Sequence, residues 1–150
     1  MGYPTDTTIW PRPLPSAEIR DLIDRLFLLT DTRTEDVGER LAKDVFTTDG
    51  RFMLPYGTFE GAAEISQSRK DAWASVKSRR HVVSKVYLND AHSTDLILIG
   101  SLAMEALDGV KSNMEFVARV NFELGGLSGA RVREYRIISP PAQDRRSILE

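Results

Sequence analysis

Residues 81–138 read HVVSKVYLNDAHSTDLILIGSLAMEALDGVKSNMEFVARVNFELGGLSGARVREYRII. Four runs in this stretch, 81–89, 94–107, 113–124 and 130–138, are rich in Val, Ile, Leu, Tyr and Phe. Turn signals divide them: Asn89-Asp90, Asp108-Gly109, and Gly125-Gly126 with Gly129. β-branched and aromatic runs between such turns predict consecutive antiparallel hairpins. Upstream, the period changes. Ser16 is a good N-cap, and Ile19, Leu22, Ile23, Leu26, Phe27 and Leu29 repeat at helical spacing, ended by Asp31-Thr32-Arg33-Thr34. Thr34 opens a second helix carrying Val37, Leu41, Val45 and Phe46, closed by Thr48-Asp49-Gly50. Arg51–Gly57 reads as a short strand stopped by Pro55 and Gly57. Gly61 opens a third helix with Ile65, Ala72, Trp73 and Val76.

Helices at one end of the chain and strands at the other predict an α+β domain. A long twisted antiparallel sheet curls, and three helices can close its concave face. The expected shape is a cone with an apolar interior, a preferred place for a ligand. Residues 1–15 hold four prolines and read as an extended arm, from which Ile9 and Trp10 can dock on the body or a partner. Residues 16–139 form the domain, and 140–150 a polar tail.

A chain of 150 residues supports one core without staples. With 20 Lys and Arg against 22 Asp and Glu, the net charge of −2 argues against a nucleic-acid partner. The short run Lys77-Ser78-Arg79-Arg80 does not change that. The absence of cysteine excludes disulfides, thiolate metal sites and thiol nucleophiles. Two histidines exclude a three-histidine metal site. No apolar run approaches the roughly 18 residues of a membrane span, and no signal-peptide pattern opens the chain. A cytoplasmic location is the expectation, with no membrane partner.

Three segments together resemble a known fold family. The first is Leu29-Thr30-Asp31-Thr32-Arg33-Thr34-Glu35-Asp36. The second joins Phe46-Thr47-Thr48-Asp49-Gly50-Arg51-Phe52 to Gly57-Thr58-Phe59-Glu60-Gly61-Ala62-Ala63-Glu64-Ile65. The third is Arg80-His81-Val82-Val83. Their order is similar to that of the nuclear transport factor 2-like superfamily, in particular its SnoaL-like branch, over about residues 16–138. The resemblance implies a cone-shaped α+β barrel and a homodimer. Members include scytalone dehydratase-like enzymes, polyketide cyclases and secondary-metabolite isomerases, and others that only bind.

In the dehydratase-like members an Asp at the end of the first helix pairs with a His opening the long sheet. Asp31 and His81 stand at those positions. Imidazole exchanges protons near neutrality, and a carboxylate on one ring nitrogen fixes the tautomer and raises the basicity of the other. Such a pair needs no metal or organic cofactor. The resemblance therefore implies an isomerase, cyclase or dehydratase acting on a small apolar substrate such as a polyketide, terpenoid or alkaloid. The alternative is a ligand-binding or dimerisation module, in which Asp31 merely ends its helix and His81 sits in a core or interface. Hydrolysis, a third reading, lacks a clear second carboxylate. His92, in a polar turn, reads as solvated.

Two family features differ here: the tyrosine before the Asp is Thr30, and Leu96–Leu102 carries no second histidine. Tyr56 and Tyr135 are candidate pocket hydroxyls. Met53, Phe59 and Trp73 are candidate walls, equally readable as core. On 113–124, period two allows one inward face. Either Met114, Phe116, Ala118, Val120 and Phe122 face the core, or, as the family alignment implies, Val117 and Arg119 do. In the latter case Arg119 would anchor a substrate oxygen. Arg131, Arg133, Tyr135 and Ile137 against Val132, Glu134, Arg136 and Ile138 leave the same ambiguity on the last strand.

Overall fold

The computed structural model describes residues 2–127 and 129–138. The polar tail read at 140–150 lies outside them. Helix α1 (Ala17–Thr30) begins where the Ser16 hydroxyl accepts from the Ile19 amide at 3.2 Å, and it buries the apolar stripe seen in the sequence. Helix α2 (Val37–Arg40) is one turn and passes into a wide π-type turn at Leu41–Val45. Strand β1 (Phe46–Leu54) then starts without a loop, turns at Pro55-Tyr56, and pairs with β2 (Gly57–Glu60). Helix α3 (Gly61–Gln67) precedes β3 (Val76–Leu88), β4 (Asp95–Ala106), β5 (Lys111–Gly126) and β6 (Gly129–Ile137).

The sheet order is β2-β1-β6-β5-β4-β3. The hairpins β3-β4, β4-β5 and β5-β6 are antiparallel, as expected. β1 instead pairs with β6 in parallel, so the six-stranded sheet is mixed, curved and unclosed, with β2 and β3 at its edges. The helices cover its concave face. Phe27 of α1 packs on Phe116 and Tyr135 of the sheet, with ring centres 5.5 and 6.0 Å apart, and Ile23 and Leu26 of the same helix are buried in the core with Val120.

Three local expectations are corrected. Phe46 and Thr48-Asp49-Gly50 belong to β1 rather than to a second helix, because a β-forming run, Val45-Phe46-Thr47-Thr48, outweighs the helical spacing. The third helix stops at Gln67. The Ser68 hydroxyl donates back to the Ile65 carbonyl at 2.6 Å, and successive i→i+3 turns then carry the chain to Val76. Val76–Arg80 is strand, so β3 begins five residues earlier than its composition indicates.

The proline-rich arm is docked. Ile9 pairs with β3, its amide donating to the Ser84 carbonyl at 2.9 Å and its carbonyl accepting from Val86 at 3.1 Å. Trp10 packs on the core, while the Ile9 side chain stays exposed. Tyr3–Thr5 forms a 3-10 turn against α1. There the buried Asp24 accepts from the Gly2 amide at 2.9 Å and the Thr5 hydroxyl at 2.7 Å.

β3 and β4 lie very close at Gly100. A Cβ there would fall 2.4 Å from the Val82 carbonyl oxygen and 2.6 Å from the Phe116 ring. Gly100→Ala should therefore cost about 1–3 kcal/mol through overpacking. Urea unfolding reads this directly; an unchanged midpoint would contradict the packing.

Candidate active site

A cavity of about 290 Å³ opens between α1 and the concave face. That is the small end of the range for small-molecule sites. Its walls are Leu26 and Phe27 of α1, Phe52 and Leu54 of β1, Leu102 and Met104 of β4, Met114 and Phe116 of β5, and Tyr135 and Ile137 of β6. Its polar lining comes from Thr30, Tyr56, Arg69, Arg79, His81 and Glu115.

Asp31 caps α1, and its amide donates to the Phe27 carbonyl at 3.0 Å. Its side chain, only 2% exposed, turns to β3. Oδ1 lies 2.5 Å from His81 Nδ1, and Oδ2 accepts from the His81 amide at 2.7 Å. An ionised carboxylate can only accept, so Nδ1 carries the proton and Nε2 is the ring position left for another group. The imidazole lines the cavity, with Phe27 at 5.2 Å and Phe116 at 5.6 Å between ring centres.

A third group joins this pair. The Tyr3 hydroxyl, from the arm, donates to Asp31 Oδ2 at 2.6 Å, and the Arg80 guanidinium covers the Tyr3 ring at 3.8 Å. Nothing in the proline-rich arm marks Tyr3 from sequence. It brings a phenol to the Asp in a chain that has Thr30 just before it. Burial, reinforced by the Asp31 hydrogen bond, pushes the Tyr3 phenol pKa above its ordinary value. Burial does the same to Tyr135, which packs edge-on to Phe27 and Phe52.

Among the other expected residues, Tyr135 lines the cavity, and the exposed Tyr56 lines it at the opening. Trp73 lies outside the lining, with the Arg33 and Arg79 guanidinium groups each 4.8 Å from its ring centre. Phe59 packs on the core and edge-on to Tyr56, and Met53 pairs with Thr58 across β1-β2; neither lines the cavity.

Arg119 and Val117 are corrected. Met114, Phe116, Ala118, Val120 and Phe122 are the buried face of β5, and Val117 and Arg119, on the alternate face, lie outside the cavity lining. Arg119 is exposed and holds Asp95 by two hydrogen bonds, at 2.8 and 2.7 Å. This pairing keeps the Asp95 carboxyl below the usual carboxylate range. On β6, Val132 faces in and so does Tyr135, three residues on. A register shift after Val132 switches the face mid-strand. His92 is exposed in its turn, as expected.

Arg69 and Arg79 were not singled out in the sequence. Arg79 could have been: period two from His81 puts both on one face of β3. Arg69 follows α3, inside a segment that reads as helix. Among the described residues no group of three His, Cys, Asp or Glu could hold a metal ion, and no helix is long and apolar enough to cross a membrane.

Solved structures share this architecture. A nuclear transport factor 2-like superfamily protein from Salmonella enterica serovar Typhimurium is 14% identical, covering 82% of this chain and 89% of its own, with a TM-score of 0.64. The fold is nuclear transport factor 2-like. A hexachlorocyclohexane dehydrochlorinase, LinA-type3 from Novosphingobium barchaimii, shares this fold at 17% identity, covering 83% of this chain and 88% of its own, with a TM-score of 0.65. A protein with a ketosteroid isomerase-like fold from Catenulispora acidiphila, in complex with trimethylamine, is 9% identical over 79% and 85% of the two chains, with a TM-score of 0.62. No family model and no curated protein matches the sequence. In this chain the nuclear transport factor 2-like cone carries an Asp–His pair braced by a phenol from the arm.

The raised tyrosines give a sign for alkaline stability. Their folded pKa values exceed the unfolded value of about 10, so their contribution is complete below about pH 10 and is lost as pH rises beyond it. Tyrosinate absorbance against pH should show two late-titrating phenols among the four. Tyr3→Phe and Tyr135→Phe should each remove one.

Proposed function

We propose that the protein is a cofactor-independent acid/base enzyme, an isomerase, cyclase or dehydratase acting on an apolar intermediate of secondary metabolism. The Asp31–His81 pair, whose imidazole lines a mainly apolar cavity, carries this reading. Asp31 holds the imidazole by Nδ1 and fixes its tautomer and orientation. Nε2 takes a proton from carbon next to a substrate carbonyl and returns it, to another carbon or to a leaving hydroxyl. The phenol of Tyr135, kept neutral by burial, supplies a donor for the oxygen on which charge develops. Tyr56 at the opening can do the same for a second oxygen. Tyr3 touches Asp31 rather than the cavity and acts as a positioning residue.

The fold shared with a dehydrochlorinase and a ketosteroid isomerase-like protein supports chemistry of this class. Isomerisation fits the residues best, since it needs one proton-transferring group and a shaped pocket, and the cavity has a single histidine.

Deuterium exchange into a panel of apolar polycyclic ketones in heavy water tests the reading without the natural substrate. His81→Asn should lower the exchange rate by about 10²–10⁴-fold with the far-ultraviolet circular dichroism unchanged. Exchange that survives in that variant would overturn it. Tyr3→Phe should lower kcat, leave KM in place and shift the pH profile; a purely structural tyrosine would leave the profile unmoved.

A further inference from the structure

Arg69 and Arg79 reach the same cavity as His81 from one side. Arg69 is 8% exposed. Its Nη2 donates to the Thr30 carbonyl at 2.7 Å, tying the turn after α3 to the end of α1. Arg79 Nη2 donates to the Ala72 carbonyl at 2.9 Å. Among the described residues neither guanidinium has a carboxylate within ion-pair distance. Arg69 Nε and Arg79 Nη1 are sealed from solvent and have no acceptor there.

Two cations at the wall of an apolar cavity, each with an idle buried donor, are costly as they stand. Burial weakens the hold of both on their protons, and for Arg79 the nearby Arg69 charge adds to it; Tyr56 and the Asp31 carboxylate, which the Tyr3 and His81 donors already engage, offset only part of this. Arginine nonetheless keeps its charge in proteins, so the imbalance calls for an anion rather than for proton loss.

We propose that Arg69 and Arg79 form a carboxylate-binding subsite, and that the substrate is an apolar acid held by its carboxylate beside His81. The planar forks match a carboxylate, which can accept from both groups. The walls across the cavity, Phe27, Phe52, Met114, Phe116 and Ile137, suit a ring system and offer a second anionic group nothing. The inference deepens the acid/base reading and rests on it for the role of His81.

Calorimetric binding of 2-naphthoate and of its neutral counterpart 2-naphthamide to the full chain tests the subsite. Naphthoate should bind at least about tenfold more tightly, the range of a charge-assisted hydrogen bond. Arg79→Met should abolish the preference. Arg69→Lys, which keeps the charge and can still reach the Thr30 carbonyl, should reduce it. His81→Asn should leave it intact. Equal affinities, no naphthoate binding at millimolar concentration, or a preference that survives Arg79→Met would overturn the proposal. So would loss of the preference in His81→Asn, which would make the imidazolium the anion site. Binding needs no turnover, so an intact preference without exchange chemistry would defeat the enzymatic reading and leave the subsite standing.

Discussion

The carboxylate of Asp31 ties together three parts of the chain that lie far apart in sequence. It ends α1, holds the backbone and ring of His81 on β3, and accepts the hydroxyl of Tyr3 from the arm. Removing a carboxylate from water is costly, and each of these bonds offsets part of that cost. Asp24 lies two helical turns before Asp31, on the same face, and clamps the arm at Gly2 and Thr5. The arm is therefore part of the site: it packs on the helix that presents the carboxylate and closes over the carboxylate itself.

The cavity lies between α1 and the concave face of the curved sheet. Bulges set which residues look into it. β3 shifts register between Val76 and Ser78 and again between Val83 and Lys85, so Arg79, His81 and Val83 share the inner face with Val86, despite the odd spacing. The close approach at Gly100 lets Phe116 settle against β3 and the His81 ring. Aromatic and sulfur side chains then wall the cavity beside the imidazole, and Thr30, Arg69, Arg79 and His81 reach it from α1, the turn after α3, and β3.

Much of the fold was legible. The 3.6-residue stripe of α1, its Ser16 cap and the antiparallel succession of β3 to β6 follow the pattern, the early start of β3 apart, because each depends on contacts close in sequence. Where local signals competed, the pattern misled. Val37, Leu41 and Val45 do lie in helical turns, but Phe46, assigned to the same helix by its spacing, starts a strand, because β1 gains hydrogen bonds to both β2 and β6. Ala72, Trp73 and Val76 sit at helical distances from Ile65 while the chain runs through turns held by Arg69 and Arg79.

By itself the sequence determined an α+β order of elements, and its resemblance to a known fold family pointed to Asp31 at the end of one helix and His81 on one strand. The order of elements follows from periodicity, capping and composition, which are properties of neighbouring residues. Only the tertiary structure decided the parallel pairing of β1 with β6, the place of Val117 and Arg119 outside the cavity lining, the phenol that Tyr3 brings to Asp31, and the convergence of Arg69 and Arg79. A one-residue bulge reverses the face of every side chain beyond it, and an arm finds its partner across more than twenty residues. Neither leaves a trace in local pattern, because the free energy that selects each comes from groups the chain brings together only on folding.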